Sequence, residues 1–305
     1  RRIASTSPLV GIGPTCWNVA EPLFGVLQKK VGDAGDSGLQ FPIFTDVAIK
    51  GGLAKISEWA FRNVPDEGAM YAALFQWLKK TRPELKTIFG GVEEDFAHSR
   101  ATWYAVMKEV AAKEGFEIKG EAKWLLADTN FTNQAREARR AAADIVAISA
   151  HPFTTCGMLK ELGRQGVKPK LVIGLTSSSS LETLQGCAAE AEAIIIPTSF
   201  APVTPEARAA ADRAAKFNGS LDLHSGAAYE IVAILKDVIE GEGVLAKPDT
   251  VQADRAKIRN GLSKLTETKG LIGISKRTEE GEAVKPFLFV HAKGGKWEVL
   301  HNPTK

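Results

Sequence analysis

From residue 87 to residue 197 the chain alternates without a break between short apolar runs and longer amphipathic stretches. The runs that read as strands are Thr87–Gly91, Phe116–Trp124, Asp144–Ala150, Leu171–Gly174 and Ala193–Pro197, of which Asp144–Ala150 is read as apolar along its whole length. Between them lie the helix-period segments Ala97–Glu114, Asn133–Ala142, Phe153–Gln165 and Leu181–Ala188. A strand that is apolar along its whole length is covered on both faces, and parallel strands need a crossover between them. This beat therefore predicts a parallel sheet with helices on both faces and right-handed crossovers.

The same beat extends upstream. Val10–Gly13, Phe41–Phe44 and Trp59–Val64 read as strands, and Asn18–Lys30 and Asp66–Lys80 as helices. In the second helix Met70, Leu74, Trp77 and Leu78 make the apolar stripe. Downstream, Pro205–Phe217, Ser225–Glu240 and Val251–Lys264 read as helices, with Pro205 in a first turn where a missing N–H costs nothing. The C-terminal stretch changes character. Leu271–Ser275 and Pro286–Ala292, joined by the turn Thr278–Gly281, predict antiparallel strands on a sheet edge, and Trp297–Leu300 extends them past Gly294–Gly295.

A chain of 305 residues with 44% hydrophobic composition has room for two α/β domains. The net charge is +3, with the signs mixed along the chain, so a nucleic-acid surface has no support. A spanning helix needs roughly 18 or more apolar residues in a row, and the runs around Ile145 and Ile194 are far shorter. Direct membrane insertion is not expected. The opening Arg1–Arg2–Ile3 carries no visible export signal, which a processed start would also show.

Site chemistry is sparse. Cys16, Cys156 and Cys187 lie far apart, and the five histidines form no close pair, so neither zinc nor another metal is expected. Gly11-Ile12-Gly13, Gly51-Gly52 and Gly90-Gly91 do not form a dinucleotide fingerprint or a phosphate loop, so no cofactor is expected. No serine sits in a nucleophile elbow. Ser177–Ser180 reads as a helix-start loop or as the polar wall of a pocket.

The residues that remain sit at the carboxyl ends of predicted strands, where open α/β sheets bind ligands. They are Thr15, Cys16, Trp17 and Asn18; Thr45, Asp46 and Val47; Asp95, Phe96, Ala97 and His98; and Ser149–Phe153 with His151. The N–H groups of Trp17 and Asn18 at a helix start suit a carboxylate, although such a loop also serves as a plain cap. His151 could equally be a packed, hydrogen-bonded histidine. Glu21 and Glu230 read as ordinary helix residues.

Taken in order, several stretches resemble the type I periplasmic binding proteins of ABC importers, in the branch that binds branched-chain amino acids or aromatic acids. Val10–Asn18 resembles that family's strand and "GP" ligand loop, and Phe41–Phe44 its next core strand. Phe61–Asp66 resembles the segment at its first interdomain crossing. Asp128–Thr132 resembles a "T-D-F-S/T" loop, with Asn130 in place of the aspartate. Gly270–Val290 resembles the closing hairpin, with Lys276–Arg277 replacing its Phe-Asp.

The resemblance implies two Rossmann-like doubly wound lobes joined by a three-crossing hinge. The crossings would fall near Val64–Pro65, Pro197–Phe200 and Thr268–Ile272. Lobe 1 would comprise 1–64 and 200–270, and lobe 2 would comprise 65–199 and 271–305. It also implies a strand, helix and strand ahead of the "GP" loop, yet nine residues precede Val10, so the first lobe is expected to lack that part in this sequence. Cys16 resembles a position that pairs with a cysteine there, and Cys156 with Cys187 could form a second bridge.

The implied function is capture, not turnover. An extracytoplasmic solute-binding protein closes by hinge motion on a small carboxylate-bearing solute in an interlobe cleft and delivers it to a membrane permease. Thr15, Cys16, Trp17 and Asn18 would form the ligand loop, with the backbone N–H groups of Trp17 and Asn18 on the carboxylate, and Asp46, Val47 and Ala48 would line the first wall. Asp95, Phe96 and His98 would close from the second lobe, with His151, Thr176 and Ser177 completing it. Amino-acid binders usually place an acid in that last loop for the ammonium group. Here Thr176–Ser179 stand there, which leaves an amino acid and an aromatic or aliphatic acid both open. A monomer is implied, in the periplasm or lipid-anchored outside a host that lacks one. The competing readings are a ligand-sensing receptor domain of the same fold and an α/β enzyme acting on a small acid.

Overall fold

A computed structural model of the chain describes residues 6–217 and 219–303; the opening Arg1–Arg2–Ile3 lies outside them. The chain divides into two compact units, one of residues 1–66 and 202–286, the other of residues 67–201 and 287–305.

Strand β1 (Gly11–Ile12) leads into helix α1 (Trp17–Gly25), followed by β2 (Ile43–Thr45) and β3 (Ala60–Arg62). The three strands pair in parallel in the order β1-β2-β3. Helix α1 ends at Gly25, short of the expected Lys30. The chain turns there, and Leu27 forms a parallel bridge with Leu39. A Cβ on Gly38 would lie 2.4 Å from the Gln28 nitrogen, so only glycine permits that approach.

The second unit opens with α2 (Glu67–Thr81) and β4 (Thr87–Glu93). A helical stretch follows as α3 (Ala97–Ala101), a π-helical turn over Thr102–Met107, and α4 (Lys108–Lys113). Then come β5 (Glu117–Trp124), α5 (Thr132–Ala141), β6 (Ile145–Ser149), α6 (Pro152–Arg164), β7 (Leu171–Gly174), α7 (Leu181–Cys187) and β8 (Ile195–Thr198). The alternation read from the sequence is therefore the alternation of the fold. Its core gathers Tyr71, Leu74, Phe75, Leu78, Trp103 and Ile145 with their neighbours. The Gly90–Gly91 pair has a packing role. A Cβ on Gly90 would lie 2.1 Å from the Trp103 ring, and one on Gly91 would lie 2.6 Å from Trp124. Successive strand residues face opposite sides of a sheet, so each glycine makes room for one indole.

The chain then returns to the first unit with α8 (Pro205–Ala215), α9 (Leu223–Gly241), α10 (Val251–Lys264), β9 (Glu267–Gly270), β10 (Gly273–Arg277) and β11 (Ala283–Val284). Thr204 caps α8 by accepting from Ala207 N–H. Asp222 and Ser225 form a capping box at the start of α9. Finally β12 (Leu288–Lys293) and β13 (Lys296–His301) add antiparallel strands to the second unit, whose sheet runs β13-β12-β8-β7-β6-β4-β5.

The C-terminal expectation needs correcting here. Residues 271–286 belong to the first unit, so the third crossing falls after Pro286 and not near Thr268–Ile272. Strand β10 pairs with β9 and β11, not with the strand that follows Pro286. Buried polar bonds hold this segment. Lys285 pairs with Glu230, Leu271 N–H donates to Glu230 Oε1 at 2.5 Å, and Arg277 donates to the Arg62 carbonyl at 2.8 Å. Glu230 is thus the centre of a buried network and not an ordinary helix residue.

Cys156 and Cys187 are disulfide-bonded, tying α6 to α7 across 31 residues. Closing a loop of that length removes denatured-state entropy worth about 3.7 kcal/mol. Cys156→Ser combined with Cys187→Ser is expected to lower the unfolding free energy of the second unit by that order. Urea denaturation of the variant beside the oxidised parent measures it, and unchanged midpoints would refute it.

Candidate functional site

In the first unit the turn between β1 and α1 meets the end of β2. Gly13 adopts φ +97°, in the left-handed region that suits glycine, and its N–H donates to the Phe44 carbonyl at 2.9 Å. Thr45 Oγ1 donates to the Pro14 carbonyl at 2.5 Å. Thr15 Oγ1 donates to Asp46 Oδ2 at 3.1 Å, and Val47 N–H donates to Asp46 Oδ1 at 2.8 Å. Two candidate groups that lie 31 residues apart in the chain are thereby brought together.

Cys16 is the N-cap of α1, exposed and unpaired, and it supplies no side-chain cap. Among the described residues, the N–H groups of Trp17 and Asn18 have no acceptor. The start of α1 thus keeps free donors and the positive end of a helix dipole. The Trp17 ring packs on the apolar cluster of the first unit, and Lys50 Nζ lies 4.8 Å from its centroid. Lys50 also pairs with Glu21 at 2.8 Å. Val47 and Ala48 are buried; the Ala48 side chain joins the core, and its carbonyl accepts from Arg62 Nε at 2.9 Å.

In the second unit two histidine–glutamate pairs stand at the carboxyl ends of the parallel strands. His151, at the start of α6, places Nδ1 2.5 Å from Glu93 Oε1 at the end of β4. The other oxygen of Glu93 accepts from His151 N–H at 3.2 Å and from Thr154 Oγ1 at 2.5 Å. His98 Nε2 lies 2.9 Å from Glu67 Oε1, and the same carboxylate accepts from Thr102 Oγ1 and Thr176 Oγ1, each at 2.7 Å. Burial alone would push the Glu67 carboxyl up, but the facing His98 and the two hydroxyls hold it below the ordinary glutamate range. The phenol of Tyr71, which donates to the Gly174 carbonyl at 2.8 Å, is pushed well up by burial and by Glu67.

Phe96 joins the two pairs. Its ring stacks on His151 with centroids 3.6 Å apart and meets His98 edge-on at 5.5 Å. Asp95 is exposed and accepts from Leu126 N–H at 2.9 Å. Thr176 is buried against Glu67. Ser177 keeps a buried hydroxyl with no partner among the described residues. Ser178 and Ser179 spend their hydroxyls on the carbonyls of Ala150 and Thr176, the local work of a helix-start loop.

Phe96, His98, His151 and Thr176 are thus brought into one cluster, while Asp95 turns to the loop that follows β5. Sequence reasoning missed Glu67, Glu93 and Thr154. Glu67 reads there as a first-turn acid after a proline. Glu93 left one signal, a charge closing an otherwise apolar strand. Among the described residues, no group of three or more His, Cys, Asp or Glu could hold a metal ion, and no helix is long and apolar enough to cross a membrane.

Two α/β units with polar and aromatic groups at their strand tips define a two-lobed solute-binding class. Residues 40–296 match the family model described as periplasmic binding protein, and the chain belongs to that family. Among solved structures, a leucine binding protein, LivK, from Thermotoga maritima is similar at 16% identity and TM-score 0.80, over 99% of this chain and 82% of its own. LivJ from Streptococcus pneumoniae, in complex with isoleucine, is similar at 15% identity and TM-score 0.79, over 98% and 81%. An ABC transporter solute binding protein from R. palustris, in complex with benzoate, is similar at 14% identity and TM-score 0.80, over 99% and 79%. Among curated protein sequences, none matches.

Proposed function

We propose that the chain captures a small carboxylate-bearing solute outside the cytoplasmic membrane and delivers it to the permease of an ABC importer. The observation that carries this reading is the uncapped start of α1, with the free N–H groups of Trp17 and Asn18 beside the Thr15–Asp46 pair. Free amides at a positive helix end stabilise an anion without needing a lysine or arginine. Membership of the periplasmic binding protein family supports capture over turnover. The solutes of the structural neighbours, isoleucine and benzoate, both carry a carboxylate.

In this reading Thr15, Cys16, Trp17, Asn18, Asp46, Val47 and Ala48 serve from the first unit, and Asp95, Phe96, His98, His151, Thr176 and Ser177 from the second. Ligand binding would bias a hinge between open and closed forms, and the closed form would dock on the permease. The Cys156–Cys187 bridge suits an oxidising compartment and so supports an extracytoplasmic place of work.

Isothermal titration across amino acids, benzoates and short dicarboxylates tests the proposal. At least one acid is expected to bind, and Trp17→Ala is expected to weaken it by about tenfold or more, about 1.4 kcal/mol, with the circular dichroism unchanged. Unchanged affinity would remove the Trp17 side chain from the site, since its backbone N–H is retained in that variant.

A further inference from the structure

We propose that the first unit carries a second binding site, apart from the solute loops, and that it takes a small organic ammonium ion with an apolar body. The site is a cavity of about 460 Å³ lined by the C-terminal half of α9, the end of α10 and β9. Small-molecule sites run from roughly 300 to 1,000 Å³. None of the lining residues belongs to the strand-tip loops that the solute would use.

The walls are apolar. Ile234 and Val238 of α9 belong to a core cluster of this unit, and Leu265, just past α10, packs against it. Gly261 lets the two helices approach closely, since a Cβ there would lie 2.6 Å from Val238 Cγ1. Gly241, the last residue of α9, has the opposite surroundings. A Cβ on it would meet nothing within 4 Å, so the missing side chain leaves space in the cavity that it lines.

The rim sets the sign of the occupant. Asp237, Glu242 and Glu267 stand there against Lys264 and Lys269. Both lysines are committed. Lys264 pairs with Glu242 at 3.0 Å, and Lys269 pairs with Glu206, which lies outside the lining, at 2.7 Å. Asp237 and Glu267 form no ion pair among the described residues, and both are exposed. The field over the cavity is therefore negative, and it attracts a cation. Neither carboxylate belongs to a metal-ligating group among the described residues, and the apolar walls call for a carbon body, so the charge is an organic one. Thr268 lines the same cavity, and its buried hydroxyl has no partner among the described residues, which leaves an acceptor for an N–H. A carboxylate-bearing solute has the wrong sign for this rim, so the two sites differ in chemistry.

Isothermal titration and backbone amide NMR of the full chain test this with phenethylammonium and hexylammonium, each against its alcohol. At least one amine is expected to bind about fivefold or more tighter than its alcohol, the order that charge pairs at an exposed rim supply. Its shifts should fall on residues 233–242 and 261–269. Asp237→Asn combined with Glu267→Gln should bring that amine and its alcohol level. Gly241→Leu should occupy the cavity and weaken the amine about tenfold or more, with no fall in the unfolding midpoint, because glycine is a poor helix former. Binding by neither amine, or shifts confined to other residues, overturns the inference. An amine and its alcohol binding alike, or a preference that survives the double variant, overturns the ammonium assignment. An affinity indifferent to Gly241→Leu places the ligand elsewhere and overturns the site. Each of these failures leaves solute capture standing, because that reading uses other residues.

Discussion

Lys285→Ala is expected to destabilise the first unit by about 3–5 kcal/mol, the cost of leaving a buried charge without its partner. Lys285 and Glu230 are both buried and form an ion pair. Asn63 Nδ2 donates to Glu230 Oε2 at 3.0 Å, and Leu271 N–H donates to the other oxygen at 2.5 Å. Gly270 provides the space, since a Cβ there would lie 2.8 Å from Glu230 Oε1. Removing the ammonium takes away the carboxylate's ion-pair partner and leaves it two neutral donors, with the Arg277 guanidinium as a positive charge nearby that does not bond it. Glu230→Gln added to Lys285→Met removes both charges and keeps an acceptor for Leu271, and should recover part of the loss, the rest being held back because the new amide NH2 faces the Asn63 Nδ2 donor. Amide exchange of the Ile43–Thr45 strand reports on this unit alone. A loss below about 1 kcal/mol in Lys285→Ala would show that water reaches the site and screens the charge.

Trp103→Ala is expected to cost the second unit about 3–5 kcal/mol, as for large aromatic truncations in packed cores. The ring is fully buried over Gly90, and its Nε1–H donates to Glu121 Oε2 at 2.8 Å. Truncation loses the buried area and the hydrogen bond and opens a cavity against β4. Gly90→Ala attacks the same contact from the opposite side. Its Cβ would lie 2.1 Å from a ring that cannot withdraw, an overpacking cost of about 1–3 kcal/mol. The two losses should not add, because the truncated side chain no longer meets the new methyl. Urea denaturation of both single variants and the double variant tests this. Strict additivity would mean that the two positions do not share a contact.

The two variants probe different kinds of information. Gly90 and Gly91 are visible in the sequence as a pair that fits no nucleotide fingerprint, but nothing nearby in the chain says which rings they admit. Glu230 sits on a helix with ordinary periodicity, and its partner lies 55 residues away. The misplacement of the third crossing has the same origin. Leu271–Ser275 and Pro286–Ala292 both read as strands, and the register that sends them to different sheets depends on Glu230, Arg277 and Arg62. The helix predicted to Lys30 stops at Gly25 because Leu27 is claimed by a bridge to Leu39.

The sequence by itself determined the alternation that builds β4 to β8 with their helices, the strand-tip loops from which a site could be made, and the family. Each of these is a local property, written in periodicity over a few residues or in the order of short motifs. Only the tertiary structure decided that Glu67 backs His98 across 31 residues, that Glu93 backs His151 across 58, and that Phe96 lies against His151. Those pairings follow from the order of strands in the sheet, which sets β4 beside β6 and so carries Glu93 to the start of α6. Strand order is a global outcome of packing whole elements together, and residue-by-residue periodicity does not encode it.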